Sequence, residues 1–183
     1  MTTNTVAGAG RVRAAIWVIA ALALLTPLVA MQFTTEVAWT PTDFAVAGAL
    51  LAAVAFGLDL AIRSSHSWNF RIGAGLAIAA AFGLIWVNLA VGFFGDEGNR
   101  ANLVFLAALA VALIGALIAR FKAGGLAVAM LAAAGAQVLI GVVGYTAGWA
   151  SPGQDGLYEV TMGTTLFTAL WLASAWLFRR GAR

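Results

Sequence analysis

Hydrophobic residues form six long runs along the chain, separated by short polar connections. The runs cover residues 14–33, 44–62, 72–94, 101–119, 126–147 and 157–178. A helix that crosses a membrane needs about 20 mostly apolar residues, because the hydrocarbon core of a bilayer is about 30 Å thick. We therefore predict an all-α membrane protein, a bundle of six transmembrane helices in one domain over residues 14–178. A polar tail at residues 1–13 and a basic tail at residues 179–183 complete the prediction.

The charged residues lie almost entirely between these runs, and they divide by sign. Basic residues cluster at both chain ends and in the second and fourth connections, as Arg11, Arg13, Arg63, Arg71, Arg120, Lys122, Arg179, Arg180 and Arg183, whereas Arg100 lies on the other side. Because basic residues favour the cytoplasmic side, both termini are predicted to be cytoplasmic. The opposite, outer side carries the acidic residues Glu36, Asp43, Asp96, Glu97, Asp155 and Glu159. The net charge of +3 thus reflects orientation and does not indicate a nucleic-acid partner.

The composition excludes several other classes of protein. Hydrophobic residues make up 63% of the chain and charged residues 9%, whereas soluble domains are about 45–50% apolar and about 25% charged. The chain has no cysteine and a single histidine, His66, so thiolate metal sites and paired histidine ligation of haem within one chain are excluded. No serine lies in a nucleophile-elbow motif. We therefore expect no enzyme and no cofactor, with the lipid bilayer as the main partner.

The acidic outer side offers the first candidate site, at Asp96, Glu97 and Asn99. Carboxylate and amide oxygens suit hard cations such as calcium, and an acidic mouth attracts protons or cationic solutes. Helix capping is the alternative interpretation of the same residues. Residues 40–43 (Thr-Pro-Thr-Asp) match a capping box. Asn99 or Asp96 is then predicted to cap the fourth helix, and Asp155 the sixth.

Polar side chains are few inside the runs, and the candidates among them are Asp59, Asn88, Gln137, Thr161, Thr164, Thr165 and Thr168. An unpaired amide in hydrocarbon costs several kcal/mol. We therefore expect Asn88 and Gln137 to face the interior and to bond each other or a carbonyl group. Asp59 precedes Arg63 by four residues, a spacing that predicts a helical ion pair. A role for Asp59 in a proton path is the alternative, since ionisable groups inside membranes are often functional.

Small residues at helical spacing bear on the oligomeric state. Gly144 and Gly148 form a GxxxG pair. Such pairs let two helices approach closely, because packing drives helix association in lipid. The pair indicates either internal packing of one bundle or a face for a homo-oligomer. Other membrane subunits are a further class of partner.

Two stretches carry a resemblance to a known group of proteins. They read EVxWTxxDF at residues 36–44 and WVNLAVGxxGxExNxxNL at residues 86–103. Both resemble a group of small bacterial polytopic inner-membrane proteins with no assigned activity. The resemblance implies a multi-pass protein of the bacterial inner membrane whose outer loops form a functional face. It implies no substrate, cofactor or catalytic residue.

Two functions remain open from the sequence. The first is a non-enzymatic structural or accessory protein, or a subunit of a membrane complex. The second is a small transporter or channel for a cation, a proton or a small cationic solute, using the acidic outer mouth, Asn88, Gln137 and the threonines. A water-accessible cavity that reaches the level of Asn88 and Gln137 would favour transport, whereas a dry, closed core at that depth would oppose it.

Overall fold

A computed structural model describes residues 3–182, with side chains described from Gly10 onward, and this range contains six α-helices and no strand. The helices are α1 (Thr3–Ala30), α2 (Pro41–Ser64), α3 (Trp68–Ala90), α4 (Phe105–Ile118), α5 (Ala123–Thr146) and α6 (Gln154–Gly181), and a 3-10 helix over Arg100–Val104 leads directly into α4. All six are long and apolar enough to cross a membrane when the 3-10 helix is counted with α4. The predicted class, an all-α protein with six transmembrane helices, is confirmed. The chain is a multi-pass integral membrane protein.

Most helices begin or end a few residues away from the bounds of the predicted spans. The predicted polar tail of residues 1–13 is helical from Thr3 on, as the first part of α1. The second, third, fifth and sixth helices each begin three or four residues before the predicted hydrophobic run, because their first turns contain polar or small residues that hydropathy does not mark. The predicted basic tail of residues 179–183 is helical up to Gly181, as the last turn of α6, and Arg183 lies outside the described residues.

The first compact unit of the chain, up to His66, consists of α1 and α2 packed on each other. The start of α2 is fixed by the predicted capping box, which is confirmed. The hydroxyl of Thr40 accepts a hydrogen bond from the backbone N–H of Asp43 at 3.3 Å, and the carboxylate of Asp43 accepts one from the backbone N–H of Thr40 at 2.7 Å. Two backbone donors that the helix itself leaves unpaired are satisfied in this way.

The second compact unit, from Ser67 on, contains α3 to α6. The helices α5 and α6 pack together most extensively, with α3 against α6 and α4 against α5. Direct packing between α3 and α4 is slight. The four helices therefore form an arc with α3 and α4 at its ends, and the largest fully buried side chains include Trp171, Phe178 and Leu84.

Small residues serve packing inside this second unit. A β-carbon at Gly115 of α4 would overlap Ala129 of α5, so the two helices approach closely at this level. The predicted GxxxG pair does not form a continuous helix face, because α5 ends at Thr146 and Gly148 lies beyond it with φ +72°. Gly144 instead faces the ring of Phe94 inside the unit. Internal packing, not a homo-oligomer face, is therefore the role of Gly144.

Candidate functional site

The loop between α3 and α4, residues 91–104, departs most from the sequence prediction. The third span was predicted to continue to Phe94, and this is wrong: α3 ends at Ala90, and the chain turns at Gly92 with φ +76°. The reason is a competing hydrogen-bond acceptor. The side-chain oxygen of Asn102 accepts bonds from the backbone N–H groups of Phe93 (2.9 Å) and Phe94 (2.8 Å). These donors are therefore satisfied without continuing the helix.

Asn102 and Asn99 both use their amides to hold this loop. The Asn102 amide nitrogen donates to the carbonyl of Asp96 at 2.7 Å. The Asn99 amide nitrogen donates to the carbonyls of Phe94 (2.8 Å) and Trp149 (3.1 Å), and its oxygen accepts from the N–H of Ala101 at 3.0 Å. Asn99 was predicted, with Asp96 as the alternative, to cap the fourth helix; it caps the 3-10 helix that leads into α4, whereas Val104 at the N-cap of α4 itself makes no side-chain bond.

These bonds change the interpretation of the acidic candidate site. The Asn99 amide is engaged with the backbone, and Asp96 and Glu97 are exposed. Within residues 10–182, no three His, Asp or Glu side chains come together in a way that could hold a metal ion. The predicted cap at Asp155 is wrong, because Gly153 occupies the N-cap of α6 without a side-chain bond. Asp155 lies instead in the first turn, where the helix dipole favours its charge.

Two adjacent aromatic side chains of the loop, Phe93 and Phe94, turn inward and form what we call the phenyl plug. Their exposed fractions are 4% and 0%. The Phe94 ring lies 5.1 Å from that of Phe105 and 5.7 Å from that of Trp149, and the Phe93 ring lies 5.5 Å from that of Phe167. The plug therefore fills the space between α4, α5 and α6 at their predicted outer end. The sequence interpretation missed it, because a pair of phenylalanines after an apolar run looks like the end of that run.

Two glycines make room for the plug. A β-carbon at Gly144 of α5 would overlap the ring of Phe94, and one at Gly163 of α6 would overlap the ring of Phe93. We predict that Gly144→Ala lowers the stability of the detergent-purified protein by about 1–3 kcal/mol, as overpacking of a core does. Thermal unfolding measures this change.

The matched control is Gly135→Ala in the same helix, where a β-carbon meets open space. This change should be neutral or stabilise by up to about 1 kcal/mol, because alanine is the better helix former. Trimming the ring with Phe94→Leu in the Gly144→Ala background should recover part of the loss. Equal effects of the two glycine substitutions would contradict the plug.

A pocket of about 250 Å³ lies between α3, the 3-10 helix and α4. We call it the α3–α4 pocket. Its rim, toward the loop, is formed by the polar residues Asn88, Glu97, Asn99, Arg100 and Asn102. Its walls are formed by the apolar residues Leu84, Ile85, Leu89, Leu103, Phe105, Leu106 and Leu109. The pocket is therefore amphipathic, with its polar part at the predicted outer side.

Asn88 lies where the wall of the pocket meets the rim. Its amide nitrogen donates to the carbonyl of Leu84 at 2.6 Å, so the prediction that it bonds a carbonyl is confirmed. Its side-chain oxygen is buried and has no hydrogen-bond partner within the described part of the chain. The alternative pairing of Asn88 with Gln137 is wrong. Gln137 is fully buried, and neither its side-chain oxygen nor its nitrogen has a partner there.

Further buried polar atoms without partners lie on α5, at Gln137, and on α6. A β-carbon on Gly141, one turn after Gln137, would overlap the side chain of Thr164, so the two helices meet closely here. The hydroxyls of Thr164 and Thr168 and the indole nitrogen of Trp171 are buried without partners among the described side chains. Thr161 and Thr165 are exposed. Of the four threonines named from the sequence, Thr164 and Thr168 therefore have buried hydroxyls, and Thr161 and Thr165 do not.

Asp59 lies in the first unit and has two cationic partners. Its side chain is 8% exposed. The predicted ion pair with Arg63 is present, with 2.7 Å between Arg63 Nη2 and Asp59 Oδ2. A second pair, which the sequence interpretation did not include, joins Arg13 Nε of α1 to Asp59 Oδ1. Both carboxylate oxygens are thus engaged, which favours the structural interpretation of Asp59 over a proton path.

The predicted candidates therefore lie in separate places. Asn88, Glu97 and Asn99 border the α3–α4 pocket. Gln137 is buried on α5, and Asp59 lies on α2 in the other compact unit. Comparison of the chain with models of protein families, with curated proteins and with solved structures finds no match.

Proposed function

We propose that the protein is a non-enzymatic structural or accessory component of the bacterial inner membrane, with both termini in the cytoplasm. The phenyl plug is the observation that carries this proposal. A solute path along the second unit would need an opening at the outer end of α4 to α6. The Phe94 ring occupies that end and is fully buried against Phe105 and Trp149. The distribution of arginines and the resemblance to small bacterial membrane proteins support the orientation and the membrane.

A small transporter or channel is the second candidate. The buried atoms of Gln137, Thr164 and Thr168 without hydrogen-bond partners favour it, because a permeating solute or water would supply the missing bonds. The α3–α4 pocket reaches Asn88 but is not lined by Gln137. Transport requires a continuous path from the pocket to the buried side chains of Gln137, Thr164 and Thr168, whereas the accessory function requires none.

The substitution Gln137→Met separates the two functions by the sign of its effect. In a dry core, an unpaired amide costs about 1–3 kcal/mol, and methionine fills a similar volume without polar atoms. The accessory function therefore predicts a gain of about 1 kcal/mol, which for a chain of this size raises Tm by about 2–4 °C. Thermal unfolding in lipid nanodiscs measures this shift.

Gln154→Met at the exposed start of α6 is the matched control and should leave Tm unchanged. Proteoliposomes loaded with a pH indicator or a cation-sensitive dye provide the functional measurement. The accessory function predicts no flux above that of empty liposomes. A lower Tm for Gln137→Met, together with a flux that this variant abolishes, would establish the transporter instead.

A further inference from the structure

The α3–α4 pocket has the chemistry of a lipid site, and we propose that it binds one acyl chain of a zwitterionic, amine-bearing phospholipid from the outer leaflet. The inference does not rest on the accessory function, because lipid binding and solute flux are measured separately. The argument uses the position of the pocket, its size and the charges at its rim.

The position of the pocket follows from the packing of the second unit. α3 packs on α6 and α4 packs on α5, so little direct packing closes the gap between α3 and α4. The wall residues Leu89, Leu103 and Leu106 are more than half exposed, which means that the pocket opens sideways between the two helices. In a membrane, a lateral opening at this depth faces lipid chains. Water reaches the rim, whereas hydrocarbon reaches the walls.

The size of the pocket limits what can enter it. Its volume of about 250 Å³ lies below the range of about 300–1,000 Å³ that is typical for pockets that enclose a small molecule. The wall from Leu84 to Leu89 spans about 8 Å at the rise of an α-helix. A whole phospholipid does not fit in such a space. The upper part of one acyl chain does, while the rest of the molecule stays in the bilayer.

The charges at the rim of the pocket indicate which phospholipid head group it binds. Glu97 and Arg100 carry opposite charges on the same rim, which matches a head group with one ammonium and one phosphate. The exposed carboxylate of Glu97 can accept hydrogen bonds from a primary ammonium group. A quaternary ammonium has no N–H to donate. The combination therefore favours phosphatidylethanolamine over phosphatidylcholine, and over the anionic phosphatidylglycerol.

Native mass spectrometry of the purified protein, equilibrated with an equimolar mixture of these three phospholipids, tests the proposal. We expect one tightly held phosphatidylethanolamine. Leu109→Trp fills the wall of the pocket and should lower its occupancy about tenfold or more. Leu113→Trp, one turn further along α4 at an exposed position, is the matched control and should retain the lipid. Ile85→Phe on the opposite wall repeats the test in case Leu109→Trp does not fold.

The head-group assignment has its own variant. Glu97→Gln should reduce the preference for phosphatidylethanolamine over phosphatidylglycerol by about two- to fivefold, as expected for an exposed charge contact. The proposal is overturned if no lipid is retained preferentially, or if Leu113→Trp removes as much lipid as Leu109→Trp. A preference for phosphatidylglycerol that Arg100→Gln abolishes would replace it with an anionic-lipid site. Cross-linking of two chains through the pocket residues would show that a second copy covers the pocket.

Discussion

Replacing both Arg13 and Arg63 by glutamine is expected to destabilise the α1–α2 unit by about 3–5 kcal/mol, the cost of leaving a buried charge without its partners. The charge in question is the carboxylate of Asp59, whose side chain is 8% exposed. Both of its oxygens are bound by the two arginines, one from each helix. The Arg13–Asp59 pair therefore joins α1 to α2 at the predicted inner side, and the Arg63–Asp59 pair lies within α2. Thermal unfolding and the yield of monodisperse protein measure the loss.

The third substitution, Asp59→Asn, makes this prediction specific. Added to the double variant, it removes the uncompensated charge and should restore most of the stability. Arg11→Gln together with Arg179→Gln removes the same number of charges from the same predicted side and should change stability little, because both arginines are exposed. If the triple variant is as unstable as the double variant, the loss comes from topology or packing and the ion pairs are not its cause.

Replacing Asn102 by alanine is expected to cost about 3 kcal/mol or more and to release the phenyl plug. Asn102 is 6% exposed and makes three hydrogen bonds, with the backbone of Phe93, Phe94 and Asp96. Each buried backbone group that loses its partner costs about 1–3 kcal/mol. Asn102→Asp should not recover this stability, because the carboxylate keeps an acceptor for the two N–H groups but sets its second oxygen against the Asp96 carbonyl and adds a charge at a buried position.

Trypsin provides a local measurement of this change. Arg100 lies in the loop, and the folded loop holds it in the first turn of the 3-10 helix. We expect Asn102→Ala to increase cleavage after Arg100, detected by the masses of the fragments, and to lower Tm. Asn69→Ala, at a half-buried position in the first turn of α3, is the control and should not change cleavage at this site. An unchanged cleavage rate in Asn102→Ala would show that other contacts hold the loop.

The number and approximate extent of the helices could be predicted because both depend on local properties. A run of about 20 apolar residues is sufficient for a membrane-spanning helix. The capping box at Thr40 and Asp43 and the ion pair of Asp59 with Arg63 join residues three or four apart, so spacing alone predicts them. The carbonyl bond of Asn88 within α3 is of the same kind.

The sites, in contrast, depend on residues that are distant in sequence. Hydropathy could not show that Phe93 and Phe94 leave the helix, because phenylalanine has the same hydropathy value whether its ring faces lipid or is buried in a protein core. Arg13 reaches Asp59 across 46 residues, and Asn99 reaches Trp149 across 50. No local spacing marks such partners.

The sequence by itself determined that this is a multi-pass all-α membrane protein and where its helices run, because the bilayer imposes a length and an apolarity on each span separately. The tertiary structure decided which polar side chains are engaged and which remain free. It assigned Asn99 and Asn102 to the loop, Asp59 to two arginines, and Asn88 to the border of a pocket. Hydrogen-bond satisfaction in a buried environment depends on every neighbouring element at once, and only the folded chain brings those elements together.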